Sequence, residues 1–148
     1  MIAKTNGDYP SDTFGYLLSF DPYNCPRFHI ASGGASWGDN GTFNVSSSLA
    51  IVDSTAWHYV FAVIDRTGNS RCKMYVDGVD KTGGTEGTVT TVSAIANTLR
   101  LRIGTESDNN SSFKGAIGGA TIAFTARSAD WVWLSYMNQK EQDALVKW

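Results

Sequence analysis

The chain has 148 residues, 42% of them hydrophobic and 18% charged, and its formal net charge at pH 7 is −2. A chain of this length predicts one domain that buries its own core without disulfide or metal staples. The balanced charge argues against a nucleic-acid or anionic-membrane surface, and no apolar run approaches the roughly 20 residues that span a bilayer.

The N-terminal sequence MIAKTNGDYPSD is polar and lacks the apolar core of a signal peptide. We therefore expect a cytoplasmic protein if the reading frame stands alone. If the chain was excised from a larger protein, we expect an extracellular or cell-surface domain.

The first part of the chain predicts short strands. FGYLLSF (14–20) and RFHIAS (27–32) have strand character and are separated by the turn-forming residues 21–24. The Gly-rich stretch 32–44 is expected to be a long polar loop, and SSLAIV (47–52) is a weaker strand candidate.

A β-hairpin is predicted in the middle of the chain. WHYVFAVID (57–65) is apolar on both alternating faces, which is typical of a strand buried on both sides. RCKMYVDG (71–78) alternates as a second strand, and Asp77-Gly78 favours a type I′ turn because both central residues need a positive φ. His58 is expected to be a packed ring with one hydrogen-bonded nitrogen.

Three later segments are predicted strands. LRLRIG (99–104) shows the clearest half-buried pattern, with Leu99, Leu101 and Ile103 directed inward. GTVTTVSA (87–94) is a weaker candidate, and AIGGATIAF (116–124) closes the series.

The hydrophobic period becomes helical near the C-terminus. Ser128 resembles an N-cap, and Trp131 and Leu134 share one face. We expect a helix over about 129–138, within a C-terminal tail (127–148) packed on the strands. Trp57, Trp131 and Trp133 are expected to be core or helix-docking residues.

The absence of alternating strands and helices argues against a parallel sheet. The sequence instead predicts an all-β, antiparallel two-sheet sandwich or jelly roll with a short C-terminal helix, as a single domain over 1–148.

Five segments in order resemble laminin-G-like domains of the concanavalin A-like lectin/glucanase superfamily, and the last is similar to bacterial surface-protein versions. They are Trp57-His58-Tyr59-Val60, Tyr75-Val76-Asp77-Gly78, Leu101-Arg102-Ile103-Gly104, Phe113-Lys114-Gly115 and ARSADWVWLSYMNQ (126–139).

The chain departs from this family in two places. Ile117-Gly118-Gly119 stands where the family usually has an acidic pair. The one or two strands that the family has before the segment equivalent to Met1–Lys4 are expected to be absent or to have been cut away. A missing strand leaves an open sheet edge, so a homodimer through that edge is one expectation.

Catalysis is not expected. Glycosidases on this architecture need two carboxylates about 5–10 Å apart, whereas Glu86, Glu106 and Glu141 are predicted in loops or the tail and the aspartates at turns. His29 and His58 have no partner at metal-ligand spacing. The cysteines Cys25 and Cys72 lack a flanking His or CxxC, and the sequence does not decide whether they pair.

The leading functional hypothesis is a non-catalytic module that binds carbohydrate through loops 32–44 and 105–112. Trp37 is the candidate stacking platform, although it could equally cover the edge of the sandwich. The resemblance implies that calcium is bound by some relatives, which makes Asp39 or Asp108 a candidate ligand. The alternatives are ordinary turn residues at these positions, and a structural or adhesive module that binds protein or self-associates. The candidate polar contacts are Asp39, Asn40, Asp108, Asn109 and Asn110.

Overall fold

The computed structural model describes residues 1–5, 14–33, 40–53, 55–106 and 112–140. Within these residues the chain forms two antiparallel β-sheets, of six and three strands, and one short α-helix. The predicted all-β sandwich is thereby confirmed. The elements are β1 (Ile2–Thr5), β2 (Phe14–Phe20), β3 (Pro26–Ser32), β4 (Thr42–Ser47), β5 (Val60–Val63), β6 (Lys73–Val76), β7 (Val79–Asp80), β8 (Thr82–Gly87), β9 (Arg102–Ile103) and α1 (Ala129–Met137).

The larger sheet has the strand order β8-β4-β3-β2-β1-β9. β1 therefore lies between β2 and β9, with Ile2 opposite Leu18 on one side and Ile103 on the other. The expectation that β1 forms an open edge is wrong, because a segment from late in the sequence covers it.

The smaller sheet has the order β5-β6-β7 and contains the predicted hairpin. The turn from β6 to β7 has φ values of 52° at Asp77 and 77° at Gly78. This left-handed pair is the conformation that the Asp-Gly dipeptide favours in a type I′ turn, so the turn prediction is confirmed.

The core lies between the two sheets and continues to the helix. Ile30, Phe43 and Val45 of the larger sheet pack with Cys72 and Met74, which lie on one side of the hairpin. The opposite side of the hairpin packs on the helix through Val63, Tyr75 and Val132. The small sheet is therefore the middle of three layers, which is why the sequence of β5 is apolar on both faces.

α1 confirms the predicted helix, with the Ser128 hydroxyl accepting a hydrogen bond from the Trp131 amide at 3.2 Å. Its buried residue is Val132, at 0% exposure, while Trp133 and Leu134 are 46% and 45% exposed. Trp131 docks on Phe61 with ring centroids 5.6 Å apart. The predictions of a Leu134 face and a docked Trp133 are therefore wrong, and residues 141–148 of the predicted tail lie outside the described residues.

Several strand predictions are corrected. The predicted loop 32–44 already contains the start of β4, and SSLAIV is not a strand. In LRLRIG only Arg102–Ile103 is a strand, and Leu101 and Ile103 are half-exposed. AIGGATIAF forms no strand and is almost entirely exposed. GTVTTVSA contains a 3-10 turn that buries Val89 rather than a strand.

Candidate functional site

The side of the six-stranded sheet that faces away from the core carries polar side chains. Strand residues alternate between the two faces of a sheet. Because Phe28, Ile30, Phe43 and Val45 face the core, the residues that alternate with them point to the opposite face. The strand pairing aligns six outward positions in two rows, which we call the outer-face patch. The rows are Arg27–Ser46–Gly84 and His29–Asn44–Glu86.

The accessible part of the outer-face patch is its β8 side, since His29 and Asn44 are only 4% and 7% exposed. Neighbouring strands lie about 4.8 Å apart, and alternate residues along one strand lie about 7 Å apart, so three strands and two rows cover about 10 by 7 Å. Gly84 contributes no side chain, and no atom lies within 4 Å of the position that a Cβ would take there. The β8 side of the patch therefore has open space beside the exposed Glu86.

Asn44, in the buried part of the patch, is hydrogen-bonded to Glu86 on this open side. Its Nδ2 donates to Glu86 Oε2 at 3.4 Å, and the residue is only 7% exposed. Its Oδ1 is buried and accepts no hydrogen bond from the described residues. An unsatisfied buried acceptor costs about 1–3 kcal/mol, but this oxygen is enclosed and is not a contact point for a ligand on the surface.

The charges of the patch nearly cancel. Burial, and secondarily the nearby charge of Arg27, lowers the pKa of His29 from 6.5 to about 3. His29 is therefore neutral at physiological pH. Among the described residues of the patch, Arg27, whose Nε donates to the Ser19 hydroxyl at 3.4 Å, carries one positive charge and Glu86 carries one negative charge. This balance suits a neutral polar ligand better than an ion.

Glu86 was predicted to lie in a loop, and this prediction is wrong because it lies inside β8. Asp80 likewise lies in a strand, as the last residue of β7. In the part of the chain that the structure describes, Glu86 is the one carboxylate of the outer-face patch. A glycosidase requires a second carboxylate across the ligand.

Of the six predicted loop residues, only Asn40 belongs to the described residues. Trp37, Asp39, Asp108, Asn109 and Asn110 lie outside the described residues. Asn40 is exposed at the turn that leads into β4.

The described flanks of the two predicted loops lie at opposite ends of the larger sheet. Ser32, the first residue of the 32–44 stretch, pairs with Phe14 at the start of β2. Phe113, which follows the second loop, stacks on Phe20 at the end of β2 with ring centroids 5.8 Å apart. A seven-residue strand spans about 20 Å, so the flanks do not converge on one place.

No described residues make a metal site. Among them, no three His, Cys, Asp or Glu side chains are grouped as a metal ion would require. The calcium hypothesis rests on Asp39 and Asp108, which lie outside the described residues. Cys25 and Cys72 are both free thiols, and burial raises the pKa of each, so neither is activated as a nucleophile.

The residues that carry the family resemblance hold the hairpin together. The Asp77 carboxylate contacts His58 Nδ1 at 2.9 Å and accepts from the Tyr59 amide at 2.9 Å. The Asp77 amide in turn donates to the Tyr59 carbonyl at 2.8 Å. His58 is therefore a packed ring with one hydrogen-bonded nitrogen, as expected. Trp57, in contrast, is 70% exposed, so its predicted place in the core is wrong.

Sequence reasoning missed the outer-face patch. The available signal was the alternation of Arg27 and His29 with apolar residues in β3, and of Asn44 and Ser46 in β4. Seeing the patch also requires knowing that β8, distant in sequence, pairs with β4.

Comparison with known proteins identifies a family. The laminin-G family model described as "Concanavalin A-like lectin/glucanases superfamily" matches residues 2–133. No curated protein and no solved structure matches the chain. Within the described residues, no helix has the length and apolar character needed to cross a membrane.

Proposed function

The chain belongs to the concanavalin A-like lectin/glucanase superfamily, and on this premise we propose that it is a non-catalytic module that binds a neutral carbohydrate on the outer-face patch. Laminin-G-like domains are generally binding modules without catalytic activity, although the superfamily also includes glucanases. The single carboxylate of the patch, Glu86, supports binding rather than glycoside hydrolysis.

The exposed Glu86 carboxylate, which accepts from Asn44 Nδ2 and lies beside the open space at Gly84, is the observation that carries this proposal. A sugar hydroxyl can donate to the Glu86 carboxylate and can accept from the Arg27 guanidinium. The nearly neutral charge of the patch matches a neutral saccharide. The bare backbone at Gly84 leaves room for a ring beside these groups.

Glycan-array screening followed by calorimetry of the purified chain tests the proposal. Gly84 has an ordinary backbone φ, so Gly84→Leu fills the open space without backbone strain. We expect Gly84→Leu and Glu86→Gln each to weaken binding of the best glycan by roughly tenfold or more, since each removes space or a charge-assisted hydrogen bond.

Thr85→Ala is the matched control, because Thr85 lies between these two positions in β8 but points to the other face. Binding should survive in this variant. A glycan whose affinity is unchanged by Gly84→Leu, or an array without any bound glycan, would contradict the proposal.

A structural or adhesive module is the second candidate function. Its support is a set of exposed apolar side chains near the hairpin and helix, namely Trp57, Phe124, Trp133 and Leu134. Sedimentation that shows a tight homodimer, together with no glycan binding, would favour this candidate over the first.

A further inference from the structure

An apolar groove lies on the core-facing side of β1 and β2, where irregular chain borders the larger sheet. It has a volume of about 630 Å³, which is within the range of pockets that hold small molecules. Tyr16 lies opposite Ile30 and packs against the core, so the groove is continuous with the core. Its apolar lining consists of Tyr16, Ile95, Ala96, Leu101, Ile122 and Phe124.

Hydrogen bonds fix one wall of the groove to β1. The Asn97 Nδ2 donates to the Lys4 carbonyl at 3.2 Å, and the Asn97 Oδ1 accepts from the Leu99 amide at 3.0 Å. The Lys4 Nζ donates to the Leu99 carbonyl at 2.6 Å. The segment that carries Ile95 and Ala96 is therefore held beside β1, and a ligand would not have to order this wall on binding.

Lys4 brings a positive charge to this apolar lining. It lies opposite Tyr16 in the pairing of β1 with β2, so both side chains project to the core-facing side. A lysine ammonium has three N–H donors, and the bond to the Leu99 carbonyl uses one of them. Among the residues that the structure describes, no carboxylate lines the groove. An anionic ligand oxygen would therefore meet an opposite charge and N–H donors.

The rim of the groove leaves apolar side chains in solvent. Leu101 and Ile122 are 46% and 43% exposed, and Phe124 is fully exposed. Removing such surface from water is favourable in proportion to the apolar area that is covered. An alkyl chain lying in the groove would cover these side chains, whereas a small polar anion would not.

We propose that this groove binds an amphipathic anion of the long-chain fatty acid class. The carboxylate contacts the Lys4 ammonium, and the alkyl chain lies along the apolar walls. The positive charge favours an anion over a neutral apolar molecule, and the lining favours an alkyl chain over a sugar or a phosphate. The groove is on the opposite face of the larger sheet from the outer-face patch, so the two sites can be tested separately.

Calorimetric titration of the whole chain with octanoate, decanoate and dodecanoate, each below its micellar concentration, tests the proposal. Affinity should rise by roughly tenfold for each two methylene groups, because each buried methylene contributes a similar free energy. The uncharged 1-decanol should bind about tenfold or more weakly than decanoate, because it makes no charge-assisted hydrogen bond.

Variants of two groove residues separate the charge from the apolar walls. Lys4→Met should weaken decanoate binding by about tenfold or more and leave 1-decanol binding unchanged, whereas Lys4→Arg should retain most of the affinity for decanoate. Ala96→Trp fills the groove from an exposed position and should weaken the binding of both molecules. Arg100→Met is the matched control, because Arg100 is exposed in the same part of the chain but does not line the groove.

Four results would overturn the proposal. The first is the absence of decanoate binding, and the second is an affinity that does not depend on alkyl chain length. The third is an equal affinity of the wild-type chain and Lys4→Met for decanoate. The fourth is a dimer in sedimentation that Ala96→Trp dissociates and decanoate does not, since a second copy would then occupy the groove.

Discussion

At the scale of single residues, His29 shows how a strand pattern can hide an ionisable group. It is 4% exposed, between β2 and β4, with Arg27 two positions away in the same strand. Burial and this neighbouring charge both disfavour the imidazolium. Its sequence context shows only a lone histidine, because its burial depends on parts of the chain that the fold brings together.

His29 predicts a pH-dependent stability. The unfolded chain binds a proton at His29 near pH 6.5, but the folded chain does so only near pH 3. The contribution of neutral His29 is therefore complete above pH 6.5 and is lost as the pH falls toward 3. Between about pH 6.5 and 4.5 the free energy of unfolding should fall by up to about 1.4 kcal/mol per pH unit.

Urea unfolding of the wild-type chain and His29→Gln over this range measures the effect. The variant should show a flatter slope against pH. Carboxyl groups such as Asp65 and Asp80, whose pKa is lowered by hydrogen bonds to Thr67 and Thr82, titrate mainly below this window. Equal slopes for the two proteins would show that His29 does not resist protonation in the fold.

At the scale of elements, the turn between β6 and β7 also packs against the C-terminal part of α1. Gly78 has a φ of 77°, and a Cβ there would lie 2.9 Å from Cδ1 of Tyr136 in α1. The same residue therefore serves the hairpin and the helix packing. This double use gives the Tyr-Val-Asp-Gly segment, which carries the family resemblance, a structural role in the hairpin and the helix packing.

Gly78→Ala should consequently destabilise the chain by about 1–3 kcal/mol, since it adds backbone strain and a steric contact with Tyr136. For a chain of this size, that loss lowers the melting temperature by very roughly 2–10 °C. Gly68→Ala is the control, because no atom lies within 4 Å of its Cβ position and its φ of 170° is extended backbone. Calorimetry that gave equal losses for both variants would refute this account of Gly78.

At the scale of the whole molecule, the sequence predicted the sandwich, the hairpin and the helix because each has a local signal. The Asp77-Gly78 turn and the Ser128 cap are examples. It failed where position depends on distant partners. The start of β4 was not predicted because it lies within the Gly-rich stretch. Glu86 belongs to the outer-face patch only because β8 pairs with β4. Trp57 was misjudged because β5 begins only at Val60.

Experiments can distinguish the two predicted loops, because their described flanks lie at opposite ends of the larger sheet. Thr42, where the 32–44 stretch enters β4, is two residues from Asn44, whereas the 105–112 loop leaves the sheet beside Met1. We propose that Trp37, with Asp39 and Asn40, contributes to glycan binding. Trp37→Ala should then weaken glycan binding severalfold with almost no change in melting temperature.

An Asp108→Ala variant, with Asn109 and Asn110 intact, should leave glycan affinity unchanged. A loss of several degrees in Trp37→Ala would show that its indole is packing instead. Repeating both titrations with calcium and with a chelator tests the proposed calcium at Asp39 or Asp108. Calcium-dependent affinity that is lost in Asp108→Ala would assign the ligand site to that end of the sheet.

The burial of Asn44 has a consequence for producing the protein. Asn44-Val45-Ser46 is an acceptor sequence for N-linked glycosylation. Because Asn44 is only 7% exposed and its Nδ2, the atom that would carry the sugar, donates to Glu86, an attached oligosaccharide would not fit the folded arrangement of β4 and β8. In a eukaryotic secretory host, sugar transfer at Asn44 and completion of the sheet would therefore compete, and the folded fraction should be the one left unmodified at this site.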